Sequence, residues 1–486
     1  MNRVAAAVAD SPQTLWVRLE SPLPPALQAG TASAVYFAGT AMDGDRPVRA
    51  LTLLIDGRPH RVSRIAMPRF DVPERRGGFW TTAAVHVPED ATDVLVEAQA
   101  LGRGGLSDPV ELARIPVRPA RASYRRDGSA ATSAIAVCMA TFQPDPDLLR
   151  AQIDSIRAQT DTNWTCVVSD DCSEREHYDR ILQIVGGDPR FSVSRAAERV
   201  GPYRNFERAL MLAPPEAQLI ALSDQDDVWH PDKLATLRAS IGSASLVYSD
   251  QRLTDPAGRV LRDTMWVGRS NNQTNMASML LANTVTGAAA LMRRDVVQRA
   301  LPFPECPWIQ LHDQWLALVA LASGQLQYVD RPLYDYVQHP GALLGRVASA
   351  HAGDRGRRRL RMPRMRDWRA AYFLGYLPGR MRAQTVLLRC ADTMTASQRR
   401  GLGLHVRGDS SLLAFLWLVG RPVRMLFGRT ETRGSEWEVA VGIVWRRLAS
   451  FVAAVPGWPD RYLLDTSFPE PFSFAQKRLG RWREQI

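Results

Sequence analysis

Two clusters of carboxylates stand out in this chain of 486 residues. One is Asp170-Asp171, in the run VVSDDCS from Val167 to Ser173. The other is Asp224, Asp226 and Asp227, in the run ALSDQDDVW from Ala221 to Trp229. Crowded acids repel unless a cation or hydrogen-bond donors neutralise them. Asp224 and Asp226, at i and i+2, can put two carboxylates on one side of an extended turn. Hard oxygen ligands of that kind suit Mg²⁺ or Mn²⁺, which share their coordination with substrate phosphates. The plainer alternative is an acidic turn that caps a helix at Pro231.

Each cluster follows a short apolar run that reads as a strand, Thr165–Ser169 and Leu219–Ser223. A third such run, Ile135–Met139, ends at Ala140-Thr141-Phe142. Helical patterns lie between them. One starts at Pro144-Asp145-Pro146-Asp147 and carries Leu149, Ile153 and Ile156 on one face; others cover Tyr178–Val185, Pro202–Leu212 and Pro231–Ile241. Further strands are expected at Phe191–Ser194 and Leu246–Ser249. This alternation predicts an α/β domain with a mostly parallel sheet covered on both faces. Ligands bind such sheets at the carboxyl ends of the strands, so both acidic clusters are expected on one rim.

Residues 1–125 read as a β-sandwich-like module. Short alternating or β-branched runs (Ala34–Ala38, Ala50–Ile55, Ala83–Val87, Val94–Ala100, Val110–Val117) are separated by Asp-Gly and Gly-Gly turns. The turn at Asp56-Gly57 is expected to close a hairpin. No catalytic cluster falls in this module, which reads as a binding or spacer unit. Residues 126–133 read as a linker, 134–346 as the α/β domain and 347–486 as a basic helical region. Eight arginines and one aspartate lie between Arg355 and Arg369, and apolar helices are expected around Ser411–Phe427 and Trp437–Ala454.

The formal charge is +11, from 61 Lys and Arg against 50 Asp and Glu. It suits an anionic partner: a phosphorylated substrate, an anionic membrane surface or nucleic acid. The five cysteines are scattered with no C-x-x-C pair, so neither a zinc ribbon nor a disulfide framework is expected, and a reducing cytoplasm fits. Met1 to Gln13 lacks the apolar core of a signal peptide. Ser410 to Gly420 is apolar but shorter than the ~20 residues a membrane span needs, and could lie in an interface instead. The sequence has no P-loop, H-E-x-x-H, G-x-S-x-G or dinucleotide-binding glycine motif.

Four segments in order resemble glycosyltransferase family 2, inverting enzymes of GT-A fold: IAVCMATFQ from Ile135, VVSDDCS from Val167, VGPYRNFERAL from Val200, and ALSDQDDVW from Ala221. The Ser-Asp-Gln-Asp-Asp stretch is similar to that of bacterial rhamnosyltransferases. The order of a β module, a GT-A domain and a helical tail resembles galactofuranosyltransferases. The resemblance implies roles by position. Thr141, Asp170 and Asp171 would hold the nucleotide base and ribose, with Asp171 the choice for the base. Asp224 would meet the ribose or the metal, and Asp226 the metal and diphosphate; Asp227 would brace the turn. Thr286-Gly287-Ala288-Ala289 is similar to the family's acceptor-side Thr-Gly strand, which puts Gly287 beside the donor.

In QLHDQW, Gln310 to Trp315, Asp313 would be the catalytic base; an N-cap for a helix over Gln314–Ala322 is its other reading. His312 reads as structural, with an acceptor-side place as its functional alternative. His339, 26 residues after Asp313 in YVQHPGALLGR, would complete the metal site. Arg199 and Arg204 could assist the diphosphate or simply start a solvated helix. Trp229, Trp308 and Trp315 could stack on acceptor sugar or fill the core.

The expected function is thus a metal-dependent (Mn²⁺ or Mg²⁺) inverting glycosyltransferase. It would take a nucleotide-sugar donor, with dTDP-rhamnose or UDP-galactofuranose favoured. Its acceptor would be a glycan or polyprenyl-linked sugar in bacterial cell-surface polysaccharide synthesis, at the cytoplasmic face of the plasma membrane. The helical region would be a docking face for an anionic membrane or an oligomer surface. Two rival classes remain open: a nucleic-acid-binding protein using the arginine-rich segment, and a non-catalytic carbohydrate-binding protein. The acids on the rim and the lack of a nucleic-acid-reading motif weigh against the first.

Overall fold

The computed structural model describes residues 15–62, 64–67, 77–119, 134–266, 270–305, 311–339, 365–427, 431–432 and 434–453. The linker 126–133, Trp308 and most of the arginine run from Arg355 fall outside these.

The N-terminal strands form two facing sheets. Leu15–Leu19, Ala32–Asp43, Arg46–Pro47 and Gly78–His86 make one; Leu27–Gln28, Ala50–Ile55, Arg58–Arg61, Asp93–Gly102, Gly105–Leu106 and Val110–Arg118 make the other. Side chains such as Phe37, Leu53, Val94 and Val96 fill the space between them. The expected hairpin is present. Ala50–Ile55 pairs with Arg58–Arg61 through Asp56 and Gly57, both at positive φ, as a primed two-residue turn requires.

The strand Ala32–Asp43 departs from the alternation of a half-exposed sandwich, because ten of its twelve residues are buried. Val35 and Phe37 face the sandwich core. Ala34, Tyr36 and Ala38 face the opposite way, into a second core with Tyr372, Phe373, Tyr376, Leu418 and Trp445 from the C-terminal helices. The module is therefore fastened to the helical region rather than standing apart as a spacer.

In the α/β domain the sheet runs Phe191–Arg195, Trp164–Asp170, Ile135–Thr141, Leu219–Ser223, Ala290–Arg293, Leu246–Thr254, Leu326–Val337, Val228–Trp229, with Val260–Arg262 pairing on Leu246–Thr254. The first four strands are parallel. Their interiors read as unbroken apolar runs because helices cover both faces. Pro146–Arg157 begins where its signals predict: Asp145 caps it by accepting from the amides of Asp147 and Leu148. Thr286 to Ala289, expected as strand, instead makes a short 3₁₀ turn at Gly287–Ala289 before the strand Ala290–Arg293. The last domain helix, His312–Ser323, is capped at Leu311 with no side-chain bond. Asp313 lies inside its first turn, so the N-cap reading of Asp313 is corrected.

The C-terminal region is helical: Met365–Ala371, Leu377–Arg389, Ala396–Val406, Leu412–Gly420 and Ser435–Ala453. Among the described residues no helix is long and apolar enough to cross a membrane. Arg389 joins all three parts. Its guanidinium donates to Ala32 O at 2.7 Å and Ser33 Oγ at 2.6 Å in the β module, and to Ala300 O at 3.0 Å and Pro302 O at 2.7 Å in the α/β domain. Nearby, the Ala34 amide donates to Thr385 Oγ1 at 3.0 Å and Trp80 Nε1 to Tyr372 OH at 3.1 Å.

Removing that guanidinium strands several carbonyls at a closed joint. Arg389→Ala is expected to destabilise the chain by about 2–3 kcal/mol. Urea denaturation monitored by tryptophan fluorescence measures it, and an unchanged midpoint would show that the joint does not need this residue.

Candidate functional site

The parallel strands end together. Thr141 pairs with Asp170, Asp170 with Arg195, and Met139 with Ser223, so the segments after these residues share one rim.

On one side of the rim, the expected nucleotide-binding pair is held tightly. Asp170, 0% exposed, accepts from the Ser173 amide at 2.9 Å, Ser173 Oγ at 2.5 Å and Thr141 Oγ1 at 3.3 Å. It braces the turn from inside. Asp171 is buried too, and its two oxygens accept from the amides of Val200 and Gly201 at 2.7 and 2.8 Å. The segment from Val200 is thus held against Asp171. Asn205, further along it, ties Thr141 O and Ser169 O together at 3.1 and 2.9 Å.

Arg204 is occupied elsewhere: Glu207 at 2.5 Å, Glu305, and the Phe303 carbonyl at 2.9 Å take up its guanidinium. The structure places it as a brace for the 303–305 segment rather than as a free cation on the rim. Arg199 lies over the Phe142 ring at 3.9 Å. Gln225, the middle residue of the Asp-Gln-Asp run, pins the adjoining strand end by accepting from the Phe142 amide at 2.8 Å.

On the other side, the remaining acids converge. Asp224 is pushed up to about 7, first by burial and then by the charges of Asp226 and Asp313, with Lys233 opposing. Asp313 therefore lies within electrostatic reach of the Asp224–Asp226 turn, though it is far away in sequence. Asp227, 1% exposed, is held well above the carboxylate range by burial and by Asp226 and Asp224. His339 closes on the turn from the end of the strand Leu326–Val337, with Nε2 at 2.8 Å from Asp226 Oδ2. That contact holds the imidazole above its ordinary pKa.

Beneath the acids sits a group not singled out from the sequence, Lys233. It is fully buried, donates to the Ala288 carbonyl, and lies 3.6 Å from the Trp229 ring and 4.6 Å from the Tyr334 ring. Burial pulls it well below the usual lysine range, while Asp227 and Asp224 favour its charge. The signal available in the sequence was its position six residues after Asp227, at the start of the helix Lys233–Ser240.

Asp313 is pushed up to about 6 by burial. The Gln314 amide at 2.6 Å, the Asn283 side chain and the Gly287 amide favour its charged form. A helix N-terminus also favours a carboxylate, yet desolvation outweighs all of these. Asn283 was likewise missed, because nothing in its local sequence marks it. Gly287 is required for space: a Cβ there would lie 2.7 Å from His312 Nε2 and 3.5 Å from Asp313 Cβ. His312 stacks on Phe206 at 3.7 Å, and burial lowers it to about 3, so it stays neutral.

Two acceptor-side assignments are corrected. Trp229 is 2% exposed beneath Lys233, and Trp315 is 0% exposed with its Nε1 bonded to Ala300 O at 3.0 Å. Both fill the core and cannot stack on a sugar. Trp308 lies outside the described residues.

Among the described residues, no three His, Cys, Asp or Glu side chains form a ready-made metal cage. The rim offers the touching pair Asp226 and His339, with Asp224 beside them. That donor set fits a hard divalent cation, which takes one or two protein ligands and fills its shell with phosphate oxygens and water.

Residues 136–301 match the family described as Glycosyl transferase family 2. A protein of Sinorhizobium fredii (strain NBRC 101917 / NGR234), described as uncharacterized protein y4gI, is 32% identical over 121 residues. The match spans 24% of this chain and only 13% of that protein's length. Among solved structures, S. aureus TarS 1-349 in complex with UDP-GlcNAc is 16% identical, covering 72% of this chain and 89% of that one, at a TM-score of 0.40. Mannosyltransferase PcManGT from Pyrobaculum calidifontis, in complex with GDP-Man and Mn2+, is 15% identical, covering 66% and 90%, at a TM-score of 0.37. The stretch that matches the glycosyltransferase family lies within the α/β domain, between the β module and the helical region.

The crowding at Gly287 has a direct consequence. Gly287→Ala must displace the His312 ring, which neighbours Asp313 in the chain, and is expected to lower kcat at least tenfold through the shift passed on to Asp313. The melting temperature should fall by only a few degrees. Full activity in this variant would mean that the 3₁₀ turn does not set the base.

Proposed function

We propose that this glycosyltransferase domain is an inverting, metal-dependent transferase. It moves a sugar from a nucleotide diphosphate donor to a hydroxyl of a glycan or polyprenyl-linked acceptor, in bacterial surface polysaccharide synthesis at the inner face of the plasma membrane. The observation that carries the reading is the meeting of Asp224, Asp226 and Asp313 at one end of the sheet, inside a family 2 domain. In this reading Thr141 and Asp171 line the nucleotide pocket, Asp224 and the Gly287 backbone border the sugar diphosphate, and Asp226 with His339 hold the cation. dTDP-rhamnose and UDP-galactofuranose are the favoured donors, on the Ser-Asp-Gln-Asp-Asp stretch and the domain order.

Asp313 accepts the proton of the acceptor hydroxyl as that oxygen attacks the anomeric carbon. The bond from that carbon to the diphosphate oxygen breaks on the opposite face, so the configuration inverts and no covalent enzyme intermediate is needed. Its carboxyl, raised to about 6, is a stronger base than a free aspartate and is still ionised at neutral pH. A bound divalent cation would supply positive charge to the departing diphosphate. Neutral His312 behind Asp313 adds no positive charge beside the carboxylate. The acid-lined rim disfavours a nucleic-acid reading, because a polyanion would be repelled there.

Turnover should therefore depend on pH in a fixed direction. Asp313 is active when ionised, so kcat/KM is expected to fall about tenfold per unit below pH 6 and to level above it. Asp313→Asn should lower kcat by roughly 10²–10⁴-fold with folding intact, and Asp226→Asn should abolish the response to added Mn²⁺. A panel of nucleotide sugars with Mn²⁺ or Mg²⁺ checks these outcomes. Wild-type turnover in Asp313→Asn would reject the base assignment.

A further inference from the structure

The helix Leu412–Gly420 is apolar at almost every position, but it buries only one side. Ala414 and Leu418, four residues apart, are 0% and 1% exposed and face inward, Leu418 into the core it shares with Tyr376 and Trp445. Leu412, Leu413 and Leu416 face outward at 64%, 72% and 57% exposure. The stripe continues through the 3₁₀ segment Arg421–Phe427, where Val423 is 50% and Phe427 80% exposed. Five large apolar side chains within sixteen residues thus face outward; elsewhere among the described residues, exposed apolar side chains come singly or in pairs. A patch of this kind marks an interaction surface.

The exposed charge beside the stripe is positive, while the stripe's own Arg421 and Arg424 are paired with the buried Glu436 and Glu431. Between Ala396 and Phe427 the sequence has five arginines and a single acid, Asp409. Asp409 is 4% exposed and bound by Tyr372 and Arg380, so it does not reach the surface. Arg399, Arg400 and Arg407 are exposed. Arg447 flanks the helix directly, over the Phe415 ring at 4.5 Å. An apolar stripe edged with cations lies in the plane of an anionic interface, burying the apolar face among acyl chains and pairing arginines with headgroups. A second copy of this chain would bring the same positive edge and be repelled. The terminal residues 454–486 hold five basic and four acidic residues, too nearly balanced to complement it.

We propose that Leu412–Phe427 is an in-plane docking surface for an anionic lipid bilayer. The proposal adds a partner to the glycosyltransferase reading and rests on the C-terminal surface alone. The test is co-sedimentation of the full chain with vesicles of phosphatidylcholine containing about 30 mol% phosphatidylglycerol, against pure phosphatidylcholine. Binding is expected to the anionic vesicles, and to weaken several-fold at about 0.5 M NaCl. The double variant Leu413→Asp/Leu416→Asp should weaken it about tenfold or more, with an unchanged melting temperature and unchanged turnover on a water-soluble acceptor.

Equal binding by the wild type and the double variant, or binding by neither, overturns the proposal. So does a melting temperature several degrees lower in the variant, which means that the chain's own residues cover the stripe. A wild-type dimer that the variant dissolves assigns the face to a second copy and overturns it as well. Asp313→Asn should bind vesicles like the wild type, so a failure of the catalytic reading is told apart from a failure of this one.

Discussion

Carboxylates gathered on one buried rim cannot all carry charge unless something compensates them, and much of the catalytic domain is arranged around that constraint. Asp224, Asp226, Asp227 and Asp313 come from two distant parts of the chain. In a low-dielectric site their repulsion is strong. Under the acids the fold places Lys233 against the faces of Trp229 and Tyr334, where burial disfavours its charge and Asp227 and Asp224 favour it. One lysine against four acids leaves the cluster short of positive charge. Burial raises both Asp224 and Asp313, and at Asp224 the charges of Asp226 and Asp313 add to it. A site built this way gains from a ligand that brings positive charge, and a cation-bound nucleotide diphosphate has that chemistry.

The opposite half of the rim solves a different problem. Asp170 and Asp171 are saturated by hydroxyls and backbone amides, so their charges are spread over fixed dipoles. Neither carboxyl depends on a ligand to stay in place. Their first effect is local: Asp171 draws in the Val200–Gly201 turn and Asp170 locks the turn at Ser173. Asp171 is already saturated, while the acids opposite lie in an environment whose charge is still to be balanced. This asymmetry puts local structure on one side and charge chemistry on the other.

Much of this was legible in the sequence where local rules apply. The apolar runs ending at Thr141, Asp170 and Ser223 are strands, and the strand-end rule places the acids on one rim. The Asp145 cap and the Asp56-Gly57 hairpin follow from turn and cap chemistry alone. The rest depends on what packs against what. Lys233 reads as a surface residue at a helix start until Trp229 and Tyr334 are seen to enclose it. Trp229 and Trp315 looked available for sugar only because burial cannot be read from type. Asn283 matters through a contact with Asp313 across 30 residues of sequence. The run from Ala34 to Met42, apolar but for Thr40, did carry a readable signal, because a strand apolar on both faces must be covered on both. What covers its second face, helices more than 300 residues later, could not be inferred from periodicity.

That second face bears on the site through its supports. The helix carrying Asp313 is held from behind by the C-terminal region: Arg382 donates to Gln314 Oε1 at 2.8 Å, and the Gln314 amide nitrogen bonds the carbonyls of Met279 and Leu280. Those carbonyls belong to the helix Met276–Leu281, which leads directly to Asn283 and Gly287. Both sides of the base are thus tied to one neighbour. Arg389, on the same helix as Arg382, binds the carbonyls of Ala300 and Pro302 and fixes the far end of the β module against them. A base works within a few tenths of an ångström of its proton, and a helix N-terminus on a sheet edge does not by itself have that precision. The β module and the C-terminal helices thus brace the helix of Asp313 from outside the α/β domain.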